Sequence, residues 1–193
     1  QDVCVHELVT GASCGFWWVG EKDWEGIPSA LMQCGTPRNY FVFDFTEKDY
    51  SFRYKGIGMD ASRQMNIWIA GIDSTDVYID ELRNKPQGEM LVTVYGASDS
   101  TVVRCRLDNG EWLLCERKEE LDVNVARVRS WNQLKIYPTR FNRRNPFRKQ
   151  SSPQIWGLQL PKEYCEGIHL ITVEASDRWG FKASGERSYY YQR

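Results

Sequence analysis

The fold is decided by Gly167-Ile-His-Leu-Ile-Thr-Val-Glu-Ala175 and the residues after it. These residues are the turn segment Asp177-Arg-Trp-Gly180 and the run from Phe181 to Tyr191. The first stretch has the period-2 spacing of a strand, in which successive side chains point to opposite faces. Apolar residues occur at both sets of positions, so both faces of this strand are partly apolar. Asp and Gly favour turns, and the run that follows returns as a final strand. The pattern predicts a pair of long strands at the end of the sequence.

The same alternation continues upstream, in short strands separated by turn signals. Asp108-Asn109-Gly110 is the strongest signal, because Asn-Gly supplies the positive φ values of a tight hairpin turn. Strands of this length and spacing predict an all-β fold, an immunoglobulin-like β-sandwich with little helix. Residues 116–135 are the one region in which a helix is predicted, although their β-branched valines disfavour it. The predicted upstream strands are Met65–Ala70, Glu89–Tyr95, Thr101–Leu107, Glu111–Cys115 and Gln154–Leu160.

An aromatic hairpin precedes the sandwich. Tyr40–Phe45 and Tyr50–Tyr54 alternate as two strands around a polar turn. Gly56-Ile-Gly58 then breaks the pattern. We therefore predict two parts, residues 1–56 with the hairpin and residues 57–193 with the sandwich.

The composition is that of a folded globular protein, with 41% hydrophobic and 26% charged residues. The formal net charge of −1 gives no overall attraction to nucleic acid. No run of about eighteen apolar residues occurs, so no membrane span is predicted. Neither nucleic acid nor a membrane is therefore an expected partner.

Residues for a catalytic or metal site are scarce. The two histidines are His6 and His169, whereas a metal site needs a cluster of ligands, and His169 is expected to have a hydrogen-bonded structural role. No phosphate-binding glycine loop and no Gly-x-Ser-x-Gly segment occurs. The acidic residues are interpreted as solvated loop charges, unless a deep pocket brings two of them together as a catalytic pair.

The six cysteines lack a Cys-x-x-Cys pair, so they are interpreted as buried free thiols. A disulfide between Cys105 and Cys115 stays open, because it depends on the register of the hairpin that these residues flank. Cysteine usage therefore does not fix the redox compartment.

Adjacent tryptophans are the most unusual feature of the sequence. In Phe16-Trp17-Trp18 the two Trp side chains point to opposite faces of a strand, so burying both requires two layers of protein. With Trp24, they indicate that the first segment packs between two bodies. The alternative is a ligand-binding sandwich, for carbohydrate, that uses exposed Trp24, Trp112 or Trp179 as a flat aromatic row.

A basic segment with interleaved phenylalanines spans residues 140–149. Such a segment can contact phosphate or another anion. The competing interpretation is a solvated loop, or a loop that salt-bridges to a neighbouring domain. The candidate anion contacts are Arg140, Arg143, Arg144 and Arg148.

Several segments resemble one protein family. Gly11-Ala-Ser-Cys-Gly-Phe-Trp-Trp-Val-Gly20 is similar to a Gly-Ala-x-x-Gly-x-Trp-Trp-x-Gly stretch of certain bacterial calcineurin-like metallophosphoesterases, where it follows the last histidines of the catalytic domain. Gly35-Thr-Pro-Arg-Asn-Tyr40 resembles the family's Gly-Thr-Pro-x-x-Tyr segment, which leads into a hairpin, and Tyr50-Ser-Phe-Arg-Tyr-Lys55 resembles its return strand. The segment from Gly167 to Gly180 looks like the end of the family's C-terminal β domain.

The resemblance implies a limit on chemistry as well as a role. The family's catalytic site holds two divalent metals through Asp-x-His, Gly-Asp, Gly-Asn-His-Asp/Glu and Gly-His-x-His motifs. None of these motifs occurs here, so no catalytic or metal-binding residue is carried over and no cofactor is expected in this chain. The resemblance implies a non-catalytic C-terminal accessory domain that packs on its own N-terminal phosphoesterase domain and shapes substrate access. Residues 1–56 would cap or complete the catalytic body.

The two metals are expected in the catalytic domain. A homo-oligomer is compatible with the sequence, and proteins of this kind are often exported, which favours the periplasm or cell surface. The expected contacts between the two domains are Trp17, Trp18, Trp24, Arg38 and Tyr40.

Overall fold

The computed structural model describes residues 5–10, 31–73, 79, 82–136, 148–161 and 166–191. This part of the chain is mostly β, as the alternation predicts. A hairpin is formed by β1 (Asn39–Phe45) and β2 (Tyr50–Gly56), and one helix, α1, spans Val123–Leu134. The remaining strands are β3 (Met65–Ile69), β4 (Glu89–Val94), β5 (Val102–Leu107), β6 (Leu113–Leu114), β7 (Glu116–Arg117), β8 (Ile155–Gln159), β9 (Gly167–Ser176) and β10 (Lys182–Tyr191).

Two antiparallel four-stranded sheets form the sandwich. The strand order is β3-β4-β8-β7 in one sheet and β10-β9-β5-β6 in the other. With the eight strands lettered in chain order from β3, these orders are A-B-E-D and G-F-C-C′, which is the arrangement of the immunoglobulin sandwich. The predicted fold class is confirmed, and α1 is inserted between the fifth and sixth sandwich strands.

The predicted strand Glu111–Cys115 is shorter in the structure and is followed by a change of sheet. β6 pairs with β5 in one sheet, and β7 pairs with β8 in the other. Cys115 lies between them, and its backbone N–H still donates to Val103 O at 2.9 Å. Cys105 and Cys115 are buried free thiols, as expected. The pattern missed the switch because both halves are equally short and mixed in polarity.

A second layer covers the outer face of the β3-β4-β8-β7 sheet. Helix α1 begins at the N-cap Asp122, whose carboxylate accepts from the backbone N–H groups of Asn124 and Val125. It ends at Lys135, which adopts a left-handed conformation with φ 58°. The helix thus lies within residues 116–135, the region in which the sequence predicts one. In the described residues, no helix is long and apolar enough to cross a bilayer. The buried cluster between this layer and the sheet consists of Trp68, Ala70, Ile79, Leu82, Leu91, Leu121, Val123, Val125, Ala126, Val128 and Ile155.

The hairpin shares the core that lies between the two sheets. Phe52 is 3% exposed and belongs to the same buried cluster as Met65 and Phe181. At the β9–β10 turn, Gly180 has φ +90°, and an added Cβ would lie 2.9 Å from Tyr50 O. Only glycine lets the turn approach the hairpin so closely. The boundary at residue 56 stays a prediction, and the described hairpin packs directly on the sandwich.

Candidate interdomain surface

All the aromatic residues on one side of the hairpin form a continuous surface, which we call the aromatic face. The β1–β2 register places Phe41 opposite Tyr54, Phe43 opposite Phe52 and Phe45 opposite Tyr50. Residues opposite each other in an antiparallel pair point to the same side, and neighbouring rings in this set have centroids about 6 Å apart. The aromatic face comprises Phe41, Phe43, Phe45, Tyr50, Phe52 and Tyr54.

Burial decreases along the aromatic face from one end to the other. Tyr54 is 1% exposed and Phe52 is 3% exposed, because both rings lie against the sandwich core. Phe43 and Tyr50 are half-buried, and Phe45 at the tip is 76% exposed. An exposed Phe leaves a large apolar area in water, with up to about 2–3 kcal/mol to gain from full burial. The tip of the hairpin is therefore an exposed apolar surface on one side of the domain.

The upstream segment crosses this same surface. His6 stacks on Trp179 with centroids 4.6 Å apart and 6° between the ring planes. Its Nδ1 hydrogen-bonds to the hydroxyl of Tyr50, and Leu8 packs against the sandwich core. Val5 and Val9 are largely exposed on either side of these contacts. The chain thus arrives at the domain along the exposed half of the aromatic face.

Of the five predicted interdomain contacts, two lie in the described residues. Tyr40 is 51% exposed and points away from the aromatic face, since it neighbours Phe41 on the same strand. Arg38 is half-buried, and its carbonyl accepts from Ile57 N at 2.8 Å. The other three, Trp17, Trp18 and Trp24, lie outside the described residues. Sequence reasoning did not select Phe43, Phe45 or Tyr50, although aromatic residues at every second position of both strands are their signal.

The Gly-Thr-Pro segment that precedes the hairpin is anchored to the start of α1. Gly35 has φ +88°, and an added Cβ would lie 2.0 Å from Cγ of Asp122. Thr36 is buried and donates from Oγ1 to Oε1 of Gln154 at 2.7 Å. Ser152 Oγ donates to Cys34 O at 2.8 Å. The segment is therefore a structural anchor that fixes where the hairpin begins.

Asp122 is a fully buried carboxylate at the centre of this anchor. Thr93 Oγ1 donates to Oδ2 at 2.5 Å, and the N–H groups of Asn124 and Val125 donate to Oδ1. Burial raises the pKa of Asp122, although these hydrogen bonds and the Arg127 charge oppose the change. Burial and the nearby Asp122 carboxylate also raise the pKa of Tyr95 to about 12. Three hydrogen bonds to one buried acid give the anchor a single geometry.

The predicted anion-contact loop is described only at its end. The backbone of Arg148 exchanges two hydrogen bonds with the side chain of Gln33, at 2.9 and 3.0 Å. These bonds tie the loop to the Gly-Thr-Pro segment. The other three candidates, Arg140, Arg143 and Arg144, lie outside the described residues, so anion contact by this loop stays a prediction.

The described tryptophans do not form a flat row for a carbohydrate chain. Trp112 lies beneath two guanidinium groups, with Arg104 Cζ 4.7 Å and Arg106 Cζ 4.9 Å from its ring centroid. Trp179 is stacked on His6. Each of these two rings thus already has another side chain against at least one of its faces. Trp24, the third candidate, lies outside the described residues.

No group of three or more potential ligands in the described residues could hold a metal ion. His169 is nearly buried in β9, and its Nδ1 hydrogen-bonds to Asp108 Oδ2 at 2.9 Å, which is the structural role expected for it. This contact lowers the pKa of Asp108. The two histidines are therefore engaged in separate side-chain contacts, His6 with Tyr50 and His169 with Asp108.

A protein-family comparison matches residues 7–182 to the C terminal of calcineurin-like phosphoesterase. The chain belongs to this family. No curated protein and no solved structure matches it. As a C-terminal phosphoesterase domain, the chain has an N-terminal catalytic domain as its implied partner. The family match covers the hairpin and the sandwich up to the start of β10 in one span, which agrees with the core that the hairpin and the sandwich share.

Proposed function

We propose that this C-terminal phosphoesterase domain is a non-catalytic accessory domain that packs on its catalytic domain through the aromatic face. The observation that carries the proposal is the gradient of burial along that face. Its inner rings are part of the core, and its outer rings are apolar and exposed where the upstream chain crosses them. Because the upstream segment runs along this surface, a catalytic domain joined to that segment lies close to the aromatic face.

The anchor at Gly35 and Asp122 supports a positioning role. The hairpin begins four residues after Gly35, so the anchor sets the angle at which the aromatic face leaves the sandwich. A rigid base with an apolar tip can hold a neighbouring domain in one orientation. We propose that this orientation places the tip of the hairpin at the rim of the catalytic site, where it shapes substrate access.

The first test separates catalysis by this chain from catalysis by the parent protein. Phosphodiesterase and phosphomonoesterase activities are measured with added Mn²⁺, on this chain and on the chain extended upstream through the catalytic domain. We expect activity only in the extended protein. Activity of the present chain that survives repurification would contradict the proposal.

The second test addresses the surface. Hydrogen exchange of Phe43–Tyr50 is compared between the isolated domain and the extended protein, and we expect slower exchange in the extended protein because the tip is covered. Phe45→Ser in the extended protein should restore fast exchange and change KM for a bulky phosphodiester. Ile168→Ser, at an equally exposed apolar position in β9, is the matched control and should change neither. Equal exchange in both proteins would exclude the aromatic face as the contact.

A further inference from the structure

A cavity of about 360 Å³ opens at the end of the sandwich where β10 finishes. It lies between the end of β3, the turn before β4, the end of β8 and the last residues of β10. The β9–β10 turn that contacts the hairpin is at the opposite end of the ten-residue β10, about 30 Å away. The cavity is therefore separate from the aromatic face.

The size and the lining of the cavity fit a small neutral ligand. Ligand pockets in proteins have volumes of about 300–1,000 Å³, so this one suits one or two rings rather than a long chain. No charged side chain occurs among its described lining residues, and a charged ligand would lose hydration there without a counter-charge. The described lining consists of Ile69, Ala70, Ile72, Gln87, Gly88, Gln159, Leu160, Pro161, Tyr189 and Tyr191.

Two amide side chains supply the polar groups of the cavity. Gln159 Nε2 donates to Gln87 O at 2.9 Å, and Gln87 Nε2 donates to the hydroxyl of Tyr191 at 3.4 Å. Within the described part of the chain, neither side-chain oxygen accepts a hydrogen bond. Both oxygens are thus available to accept from ligand hydroxyl groups.

Close backbone approach fixes the position of these amides. Gly71 has φ +87°, and an added Cβ would lie 2.7 Å from Cγ of Gln87. Gly88 has φ +80°, and an added Cβ would lie 3.1 Å from Nε2 of Gln159. The two glycines let the side chains of Gln87 and Gln159 pack closely against the backbone between β3 and β4. Amides held in this way are preorganised to bind a ligand with little loss of side-chain entropy.

We propose that this cavity binds a neutral saccharide unit. The ring of Tyr191 and the apolar side chains offer a surface for the C–H faces of a sugar ring. The two amide oxygens match the hydroxyl groups of a sugar, because each hydroxyl can donate one hydrogen bond. The site uses tyrosines and glutamines at the end of the sandwich and none of the tryptophans. It does not depend on interdomain packing.

The test uses saturation-transfer NMR and calorimetry on the whole 193-residue chain. The probes are glucose, galactose, mannose, N-acetylglucosamine and their common disaccharides, with glucose 6-phosphate as the charged comparison. We expect at least one neutral sugar to bind with a Kd of about 1 mM or below. We expect the charged analogue of a binding sugar to bind at least tenfold more weakly.

Two variants and a control locate the binding. Tyr191→Ala and Gln87→Ala should each weaken binding by about five- to tenfold, because each removes one recognition group of about 1 kcal/mol. Tyr190→Ala is the matched control, since this neighbouring tyrosine points to the outer face of β10 and is 58% exposed. It should leave the Kd unchanged.

Three outcomes would overturn the proposal. The first is no binding of any neutral sugar at about 10 mM, a concentration well above the Kd of a typical weak site. The second is a Kd that Tyr191→Ala and Gln87→Ala leave unchanged in variants with the wild-type Tm. The third is equal or tighter binding of phosphorylated sugars, which would contradict the discrimination against charge that the uncharged lining predicts.

Discussion

The two sheets of the sandwich have the same number of strands but different surroundings. The β3-β4-β8-β7 sheet has protein on both faces, and in β4 the five residues from Met90 to Val94 are all buried. Among the described residues, the β10-β9-β5-β6 sheet is covered on one face, and β10 alternates between exposed and covered positions for most of its length. The difference shows that α1 and the buried residues Ile79, Leu82 and Leu121 are structural parts of the domain. They cover a sheet face that would otherwise be apolar and exposed.

The outer face of the β10-β9-β5-β6 sheet differs from the face that α1 covers on the other sheet. Five large hydrophobic side chains are exposed on the outer face of the β10-β9-β5-β6 sheet, but polar residues such as Arg104 and Glu174 separate them. On the covered sheet, Trp68, Leu91 and Ile155 form an unbroken apolar group against α1. The five exposed residues are Val102, Leu114, Ile168, Leu170 and Tyr190.

The largest effect should come from the covered sheet. Leu91→Ala leaves a cavity between β4 and α1, and we expect a loss of about 2–5 kcal/mol in the free energy of unfolding. Ile168→Ala, on the uncovered face, should change this free energy by less than about 0.5 kcal/mol. Urea unfolding measures both. Similar losses for the two variants would mean that the outer faces of the two sheets are equally covered.

The next largest effect should come from the close contact between Gly35 and Asp122, the N-cap of α1. Gly35→Ala combines a strained positive φ with a clash against the Asp122 carboxylate, and should cost about 2–4 kcal/mol. Gly58→Ala is the matched control, because Gly58 has φ +75° and open space around its Cβ position. It should cost about 1 kcal/mol, from strain alone. Thermal unfolding checks the pair, and equal costs would show that Asp122 yields to the added methyl group.

Asp122 itself should have a smaller effect, which depends on the substituting residue. Asp122→Ala removes an N-cap and the partner of Thr93, so we expect a loss of about 1–2 kcal/mol. Asp122→Asn keeps an oxygen for the helix N–H groups and should lose less. Urea unfolding at pH 5 compares the two. An equal loss in both variants would show that the negative charge, rather than the cap geometry, stabilises this end of α1.

The smallest and most specific effect is the pH dependence of the stability difference between Asp122→Asn and wild type. Burial raises the pKa of Asp122 above its value in the unfolded chain, about 3.9. The stabilisation from this carboxyl is therefore complete below that value and is lost as the pH rises through the folded pKa. Since Asn does not titrate, the stability of Asp122→Asn relative to wild type should increase between pH 4 and the folded pKa. A constant difference over that range would show that the pKa of Asp122 is not raised.

Sequence patterns predicted the strands well where a single periodicity persisted. β1, β4, β5 and β9 begin and end within one residue of their predicted bounds. The predicted Glu111–Cys115 strand was wrong in extent, because a change of sheet leaves no mark on local alternation. The interdomain contacts stay a prediction, because Trp17, Trp18 and Trp24 lie outside the described residues. The aromatic face was not predicted as a surface, although its residues alternate along both strands of the hairpin.

By itself, the sequence determined the all-β class, the hairpin, the turn at Asp108–Gly110, the family and the scarcity of catalytic residues. Local spacing and residue type carry all of these. Only the tertiary structure decided that the hairpin packs on the sandwich, that Asp122 lies against Gly35, and that Gln87 and Tyr191 line one cavity. These residues are 87 and 104 positions apart along the chain. Such contacts depend on how strands are ordered in the two sheets, and no local pattern in a single sequence encodes that order.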